Sequence, residues 1–215
     1  MEPETSKSPK ESIKSPFRTA ITKDEINHLE LHRYRGPVTF VTDEESLSDA
    51  LKALRREKVL GFDTESRPSF KKGQNFLPSL VQLCGEERVY IFQLGKLKSP
   101  KRLFQLLERE DILKVGVAMG FDVRQLNEIM PFKAAGFMDL EPLTDELGIK
   151  NNGLRSLSAI VLGFRISKSE QRSNWGRDQL SDRQIVYAAT DAWVSREIYL
   201  RLMDVLEKSG NGTKP

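Results

Sequence analysis

Residues 59–65 read VLGFDTE, an apolar run around one glycine that passes directly into two acids spaced two apart. A short apolar run without helical spacing predicts a buried strand, and strand geometry points Asp63 and Glu65 to the same face. Working outward, PVTFV (37–41) predicts another strand, after which Leu47, Leu51 and Leu54 recur at helical spacing through ESLSDALKALRRE. On the other side, LVQLC (80–84) and VYIF (89–92) predict a hairpin around the turn GEER. Helical RLFQLLERE, the strand LKVGVA, a helix from about Phe121 to Met130 and a short strand at GFMDL follow. Helices near 141–147 and 154–162 precede a long one from about Ser181 to Leu206. Strands that first run together and then alternate with helices predict an α/β layered fold, with helices packed on a central sheet.

The chain has 215 residues, 38% of them hydrophobic, enough for one sizeable core. Residues 1–19, built from Ser, Pro, Lys and Glu, predict a disordered tail, either solvated or acting as a weak electrostatic arm. One domain is expected over 20–207, with a frayed terminus at 208–215. Lys and Arg exceed Asp and Glu by three, a mild basic bias compatible with a polyanionic partner. The single cysteine, Cys84, sits inside LVQLC as a small buried strand residue and excludes an intramolecular disulfide. With only His28 and His32 besides, the sequence excludes a zinc site of the usual Cys/His type. Any metal must be held mainly by oxygen, which suits Mg²⁺ or Mn²⁺. Apolar stretches fall short of the roughly 20 residues needed to span a bilayer, so a cytoplasmic protein is expected.

Asp63 and Glu65 bring two like charges into one small volume, which is costly unless a proton or a cation lies between them. Taken alone, the pair also fits a solvated strand end. Asp122 stands in the first turn of the helix FDVRQLNEIM, a place that favours aspartate for the helix dipole alone. Tyr187 and Asp191 lie four apart in YAATD, hence on one helix face, and the surrounding alanines allow that helix to press on the sheet. A phenol one turn from a carboxylate can orient a water molecule, although an ordinary amphipathic helix reads the same way.

In combination and in this order, FDTE, GVAMGFD and YAATD resemble the three exonuclease motifs of the DnaQ-like (DEDD) superfamily, in its tyrosine-bearing branch with ribonuclease D and polymerase proofreading domains. LVQLC, SNW and QLSDRQIVYAATDAW give the resemblance a Werner-type character, over roughly residues 36–206. The resemblance implies a ribonuclease H-like fold, with a mixed central sheet flanked by helices, and 3′→5′ hydrolysis of nucleic acid by two-metal-ion catalysis, releasing 5′-mononucleotides. Asp63 would bridge two ions, Glu65 and Asp191 would help hold the first, Asp122 would support the second through water, and Tyr187 would position the attacking water. DNA, single-stranded or 3′-recessed, is the expected substrate. RNA trimming of the ribonuclease D kind and an inactive nucleic-acid-binding module are the alternatives.

Two basic stretches flank these motifs. In SRPSFKKGQNFLP (66–78), Arg67, Lys71, Lys72 and Gln74 are candidate phosphate contacts, or else a solvated loop. Ser66 stands where Werner-type domains carry a tryptophan. In RISKSEQRSNWGR (165–177), Arg172 and Trp175 are candidates for the single-strand channel, an arginine and an aromatic face being suited to unpaired bases. Packing of Trp175 between the last helix and the sheet is the competing expectation.

Overall fold

The computed structural model of the protein describes residues 15–69 and 74–209. In chain order its helices are α1 (Lys23–His28), α2 (Glu44–Leu54), α3 (Lys101–Leu107), α4 (Gly120–Ile129), α5 (Glu141–Glu146), α6 (Leu154–Leu157) and α7 (Asp182–Lys208). The strands are β1 (Val38–Val41), β2 (Val59–Ser66), β3 (Pro78–Cys84), β4 (Val89–Gln93), β5 (Leu113–Gly116) and β6 (Phe137–Asp139). They form one mixed sheet in the order β1-β4-β3-β2-β5-β6. Only β3 runs against the others, pairing antiparallel with β2 and β4. The expected hairpin closes where the Gly85 N–H donates to the Arg88 carbonyl at 3.0 Å.

Alternation along β2 sorts its side chains between two layers. Leu60 and Phe62 enter a core built with Val81, Leu83 and Phe92 of the neighbouring strands and Leu47, Leu51, Phe104 and Leu126 of the helices. Gly61 lies on the opposite face, under α7. Leu80, Cys84 and Ile91 on that side meet Ala188, Ala189 and Ala192. This is the tightest fit in the sheet: a Cβ on Gly61 would come within 1.9 Å of the Ala192 carbonyl oxygen. Glycine on the strand and alanine on the helix therefore let the two backbones touch. Ser181 starts α7 with a capping box, accepting from the Gln184 N–H while the Gln184 side chain returns to the Ser181 backbone.

Three boundaries differ from the sequence expectation. Phe17 packs against the core, and the Thr19 carbonyl accepts a hydrogen bond from Lys150 N–H at 2.8 Å, so the packed chain begins before residue 20. Helix α1 was not foreseen, although Thr22 and Glu25 form a capping box that TKDE spells out. Helix α7 continues through Lys208, whose ammonium pairs with Asp204 one turn back. Residues 1–14 and 210–215, which hold most of the two expected tails, lie outside the described residues.

Lys114 on β5 is fully buried, against the usual rule for a charged residue. Its ammonium donates to the carbonyls of Arg109 at 2.6 Å, Ile112 at 2.8 Å and Ala135 at 2.5 Å, pinning the loop that leads into β5 to the loop that leads into β6. Among the described residues no helix is long and apolar enough to cross a membrane.

Candidate active site

The end of β2 and the third turn of α7 meet at one carboxylate cluster. Because Asp63 and Glu65 share a face and Gly61 admits the helix, Asp191 descends onto them from above. One carboxylate oxygen from each of Asp63, Glu65 and Asp191 lies within 4.8 Å of the others. None of the three takes part in an ion pair among the described residues, and burial and crowding act in the same direction. Asp63 is pushed well above the usual carboxylate range by burial, and then by the charges of Asp191 and Asp122. Burial and the neighbouring Asp63 raise Glu65 to about 10. Burial raises Asp191 to about 7, against a hydrogen bond from Tyr187 and the charge of Lys168, both of which favour its ionised form.

Tyr187 is raised as well, by burial and by the charges of Asp191 and Glu65, so its hydroxyl keeps its proton across the working pH range. Its ring lies 5.8 Å from that of Trp175, which has no exposed surface. Trp175 thus backs the tyrosine from below.

Asp122 reaches the site by another route. A tight turn after β5, with Ala118 in the left-handed region at φ 55°, starts α4, and the Asp139 carboxylate accepts from the Met119 and Glu141 N–H groups. Asp122 is not part of the 4.8 Å triad. The Thr64 hydroxyl donates to its Oδ1 at 2.6 Å. Thr64 points away from Asp63 and Glu65 because it is the residue between them. The Asp-Thr-Glu run thereby holds two carboxylates on one face and anchors a third from the other. This role for Thr64 was missed in the sequence, where it read as a strand residue; its place between the two acids was the available signal.

An oxygen-only donor set with no neutralising side chain in contact among the described residues fits a divalent cation. Both histidines are elsewhere: His28 bonds the Asp24 carbonyl and His32 stacks on Phe164.

Known proteins match this arrangement. The family model described as "3′-5′ exonuclease" matches residues 38–207, which include every residue of the cluster. The chain belongs to the 3′-5′ exonuclease family. It is 32% identical over 169 residues to DNA polymerase I of Aquifex aeolicus, covering 79% of this chain and 28% of that protein. To the bifunctional 3′-5′ exonuclease/ATP-dependent helicase WRN of Mus musculus it is 29% identical over 199 residues, covering 88% and 14%. To ribonuclease D of Gluconacetobacter diazotrophicus it is 29% identical over 174 residues, covering 79% and 43%. The chain therefore spans less than half of the length of each of these relatives. Among solved structures, the Nibbler EXO domain of Aedes aegypti superposes with a TM-score of 0.74 at 25% identity, covering 82% of this chain and 93% of that one. The resemblance to DnaQ-like exonucleases, Werner-type and ribonuclease D included, and the ribonuclease H-like fold both hold.

Two grooves open from the exonuclease-family cluster. One, of about 330 Å³, is lined by Asp63, Glu65, Tyr187 and Asp191 together with Lys168 and Gln171. The other, of about 280 Å³, runs along Thr64, Arg67, Phe76, Phe121 and Asp122. In it the Arg67 guanidinium lies 4.9 Å over the Phe76 ring, and Phe121 is 49% exposed.

The candidates in the flanking loops fared unevenly. Arg67 borders the second groove as expected, with its stem against Gly176. Gln74 is exposed and lines neither groove; its neighbours Asn75 and Phe76 do. Lys71 and Lys72 lie outside the described residues. Trp175 is corrected: with no exposed surface it offers no face to a base, and its packing role is the one realised. Arg172 is exposed and lines neither groove, and Lys168 and Gln171 of the same loop line the first. Phe121, the aromatic residue that does stand open, was hidden in the sequence beside Asp122.

Proposed function

We propose that the protein hydrolyses polynucleotides from the 3′ end, DNA in the first instance, releasing nucleoside 5′-monophosphates. The observation that carries this reading is the meeting of three carboxylates within 4.8 Å, with Tyr187 and Asp122 at its margins. Asp63, Glu65 and Asp191 would hold one divalent ion, and Asp63 with Asp122 a second, Mg²⁺ or Mn²⁺ by the donor set. Bound there, the ions lower the cost of deprotonating water and of developing charge on the entering and leaving oxygens.

The remaining work falls to side chains of the chain itself. Tyr187 retains its hydroxyl proton, so it can donate to a phosphate oxygen or hold a water in line with the phosphorus. Its position one turn from Asp191 keeps that hydroxyl beside the metal-binding oxygens. Trp175 behind its ring restricts where it can go. Thr64 fixes Asp122 from the far face of β2. Lys168 brings a positive charge to the groove wall, where a phosphodiester is favoured over a neutral ligand. Phe121, exposed beside Asp122, offers a surface on which an unpaired base can stack, and Arg67 stands across the same groove.

DNA as substrate is supported by the likeness to DNA polymerase I, at 32% identity. Ribonuclease D, at 29% identity, supports RNA as the second reading. A side-by-side digestion of 5′-labelled single-stranded DNA, recessed duplex DNA and RNA decides between them. The expected result is a ladder shortening from the 3′ end of DNA, requiring Mg²⁺ or Mn²⁺ and absent in Asp63→Asn. Cutting of a circular single strand, or full digestion in excess chelator, would overturn the proposal.

A further inference from the structure

A third cavity lies on the far side of Tyr187, sharing only the YAATD residues with the nuclease motifs. It measures about 460 Å³, and Ser167, Tyr187 and Asp191 are common to it and to the metal-side groove. The two spaces thus abut at the catalytic tyrosine. Arg33, Arg35 and Arg183 line the far one.

These arginines come from two separate elements, and both are fixed. Residues 29–36 form an extended strap laid along α7. The strap is held by His32 N–H to the Arg165 carbonyl at 2.9 Å, Arg165 N–H to the Glu30 carbonyl at 2.9 Å, and Tyr34 N–H to the Thr190 hydroxyl at 3.0 Å. His32 stacks on Phe164 and Phe164 on Trp193, at 4.5 and 5.8 Å. Alternation along the strap turns His32 and Tyr34 inward and leaves Arg33 and Arg35 exposed on one side. Arg183 joins them from the first turn of α7. None of the three has an ion pair or hydrogen-bond partner among the described residues. Apart from Asp191, the only acid on the wall is the exposed Asp182.

We propose that this cavity is a product site: it receives the 5′-phosphate of the nucleoside monophosphate released at the carboxylate cluster. The inference rests on the exonuclease reading, and three features support it. The scissile phosphate becomes the product's 5′-phosphate, and it need only pass Tyr187 to enter. A terminal phosphate carries close to two negative charges at neutral pH, about twice that of a backbone diester, so it gains more from unpaired guanidinium groups. The volume lies in the range that holds one small ligand. The groove with exposed Phe121, by contrast, offers the stacking surface that a strand of bases requires. Retention there makes the enzyme subject to inhibition by its product.

The test is AMP binding by calorimetry to the full chain in excess chelator, so that neither catalysis nor metal enters, with adenosine as the control. Expected are binding of AMP without binding of adenosine, and affinity at least about tenfold weaker in Arg183→Ala and in Arg33→Ala/Arg35→Ala. In the DNA digestion assay the inhibition constant for AMP should rise by the same factor. Two variants on separate elements guard against a displaced strap. Equal AMP affinity in wild type and both variants would overturn the assignment. So would a phosphorothioate oligonucleotide whose affinity falls in Arg183→Ala as far as that of AMP, which would make the cavity a backbone site. Arginine-dependent AMP binding by a protein that digests no nucleic acid would instead sink the exonuclease reading and leave the cavity standing.

Discussion

Replacing Gly61 by alanine should disable the site without touching any polar group in it. The new Cβ would lie 1.9 Å from the carbonyl oxygen of Ala192, and a backbone atom on α7 cannot rotate away as a side chain can. Ordinary contact requires about 1.5 Å more separation, so β2 and α7 must move apart by roughly that amount. Asp63 and Glu65 ride on the strand, Asp191 and Tyr187 on the helix, so the carboxylate cluster opens. Overpacking against backbone costs up to about 3 kcal/mol, offset by about 1 kcal/mol because alanine restricts the unfolded chain more than glycine does. A net loss of about 2 kcal/mol lowers the melting temperature by roughly 4–8 °C in a domain of this size. Catalysis should fall further than stability does, since a displacement of about 1 Å in a catalytic constellation can cost on the order of 100-fold.

Single-turnover digestion of 5′-labelled DNA well below the melting temperature, alongside thermal unfolding, separates the two effects. Gly95→Ala is the control, because a Cβ at Gly95 meets nothing within 4 Å. Gly61→Ala with wild-type activity and melting temperature would refute the claim that strand–helix contact sets the geometry of the site.

Three further outcomes follow from the same structure. Thr64→Val keeps the strand but strips Asp122 of its 2.6 Å donor, and should reduce kcat/KM by about tenfold with Thr64→Ser restoring it; an unaffected valine variant would remove Thr64 from the site. Lys114→Met strips one buried and two part-buried carbonyls of their ammonium donor and should cost roughly 3 kcal/mol in chemical denaturation, against which a loss below about 1 kcal/mol would count. The metal-free protein should lose stability as pH rises from about 5 to 7.5, below the range in which Lys114, lowered to about 8 by burial, titrates. Folded carboxyls with raised pKa values keep protons that the unfolded chain has released. Their contribution is therefore full below about pH 4 and lost upward through Asp191 near 7 and Glu65 near 10. Thermal scans in chelator at both pH values check the sign, and added Mn²⁺ should restore more at pH 7.5; a flat or opposite trend would contradict the crowding of the carboxylates.

Spacing made the halves of the site legible but not their meeting. Two residues apart on a strand put Asp63 and Glu65 on one face, and four apart on a helix did the same for Tyr187 and Asp191. What joins the pairs is the contact of Gly61 with Ala192, 131 positions later, and a single glycine in an apolar run gives no sign of its partner. Asp122 was legible only through the order of the motifs, because a first-turn aspartate has an ordinary explanation and its tether to Thr64 joins residues 58 positions apart. The loop at 165–177 has no periodicity, so residue type was the only guide there. That guide left Trp175 open between the bases and the core, and only its complete burial beside Tyr187 decides for packing. The strap at 29–36 carried no motif at all, and its two arginines acquire meaning only beside Arg183.

The position of the cluster explains why it is held so rigidly against its own charge. Asp63 and Glu65 are held in the β3 ladder opposite Gln82 and Leu80, just beyond the point where β2 also pairs with β5 at Gly61, and α7 covers that face, so the two acids are restrained from splaying apart as they would at an exposed strand end. Repulsion that cannot be relieved by movement is relieved by a proton or by a cation. A ligand that binds the folded state alone stabilises it by its binding free energy, so every divalent ion taken up there also strengthens the contact between β2 and α7. The close packing at Gly61 and the demand for metal are thus one property of the fold: loosening the first should weaken the second, and the Mn²⁺-dependent gain in melting temperature should shrink in Gly61→Ala relative to the native protein.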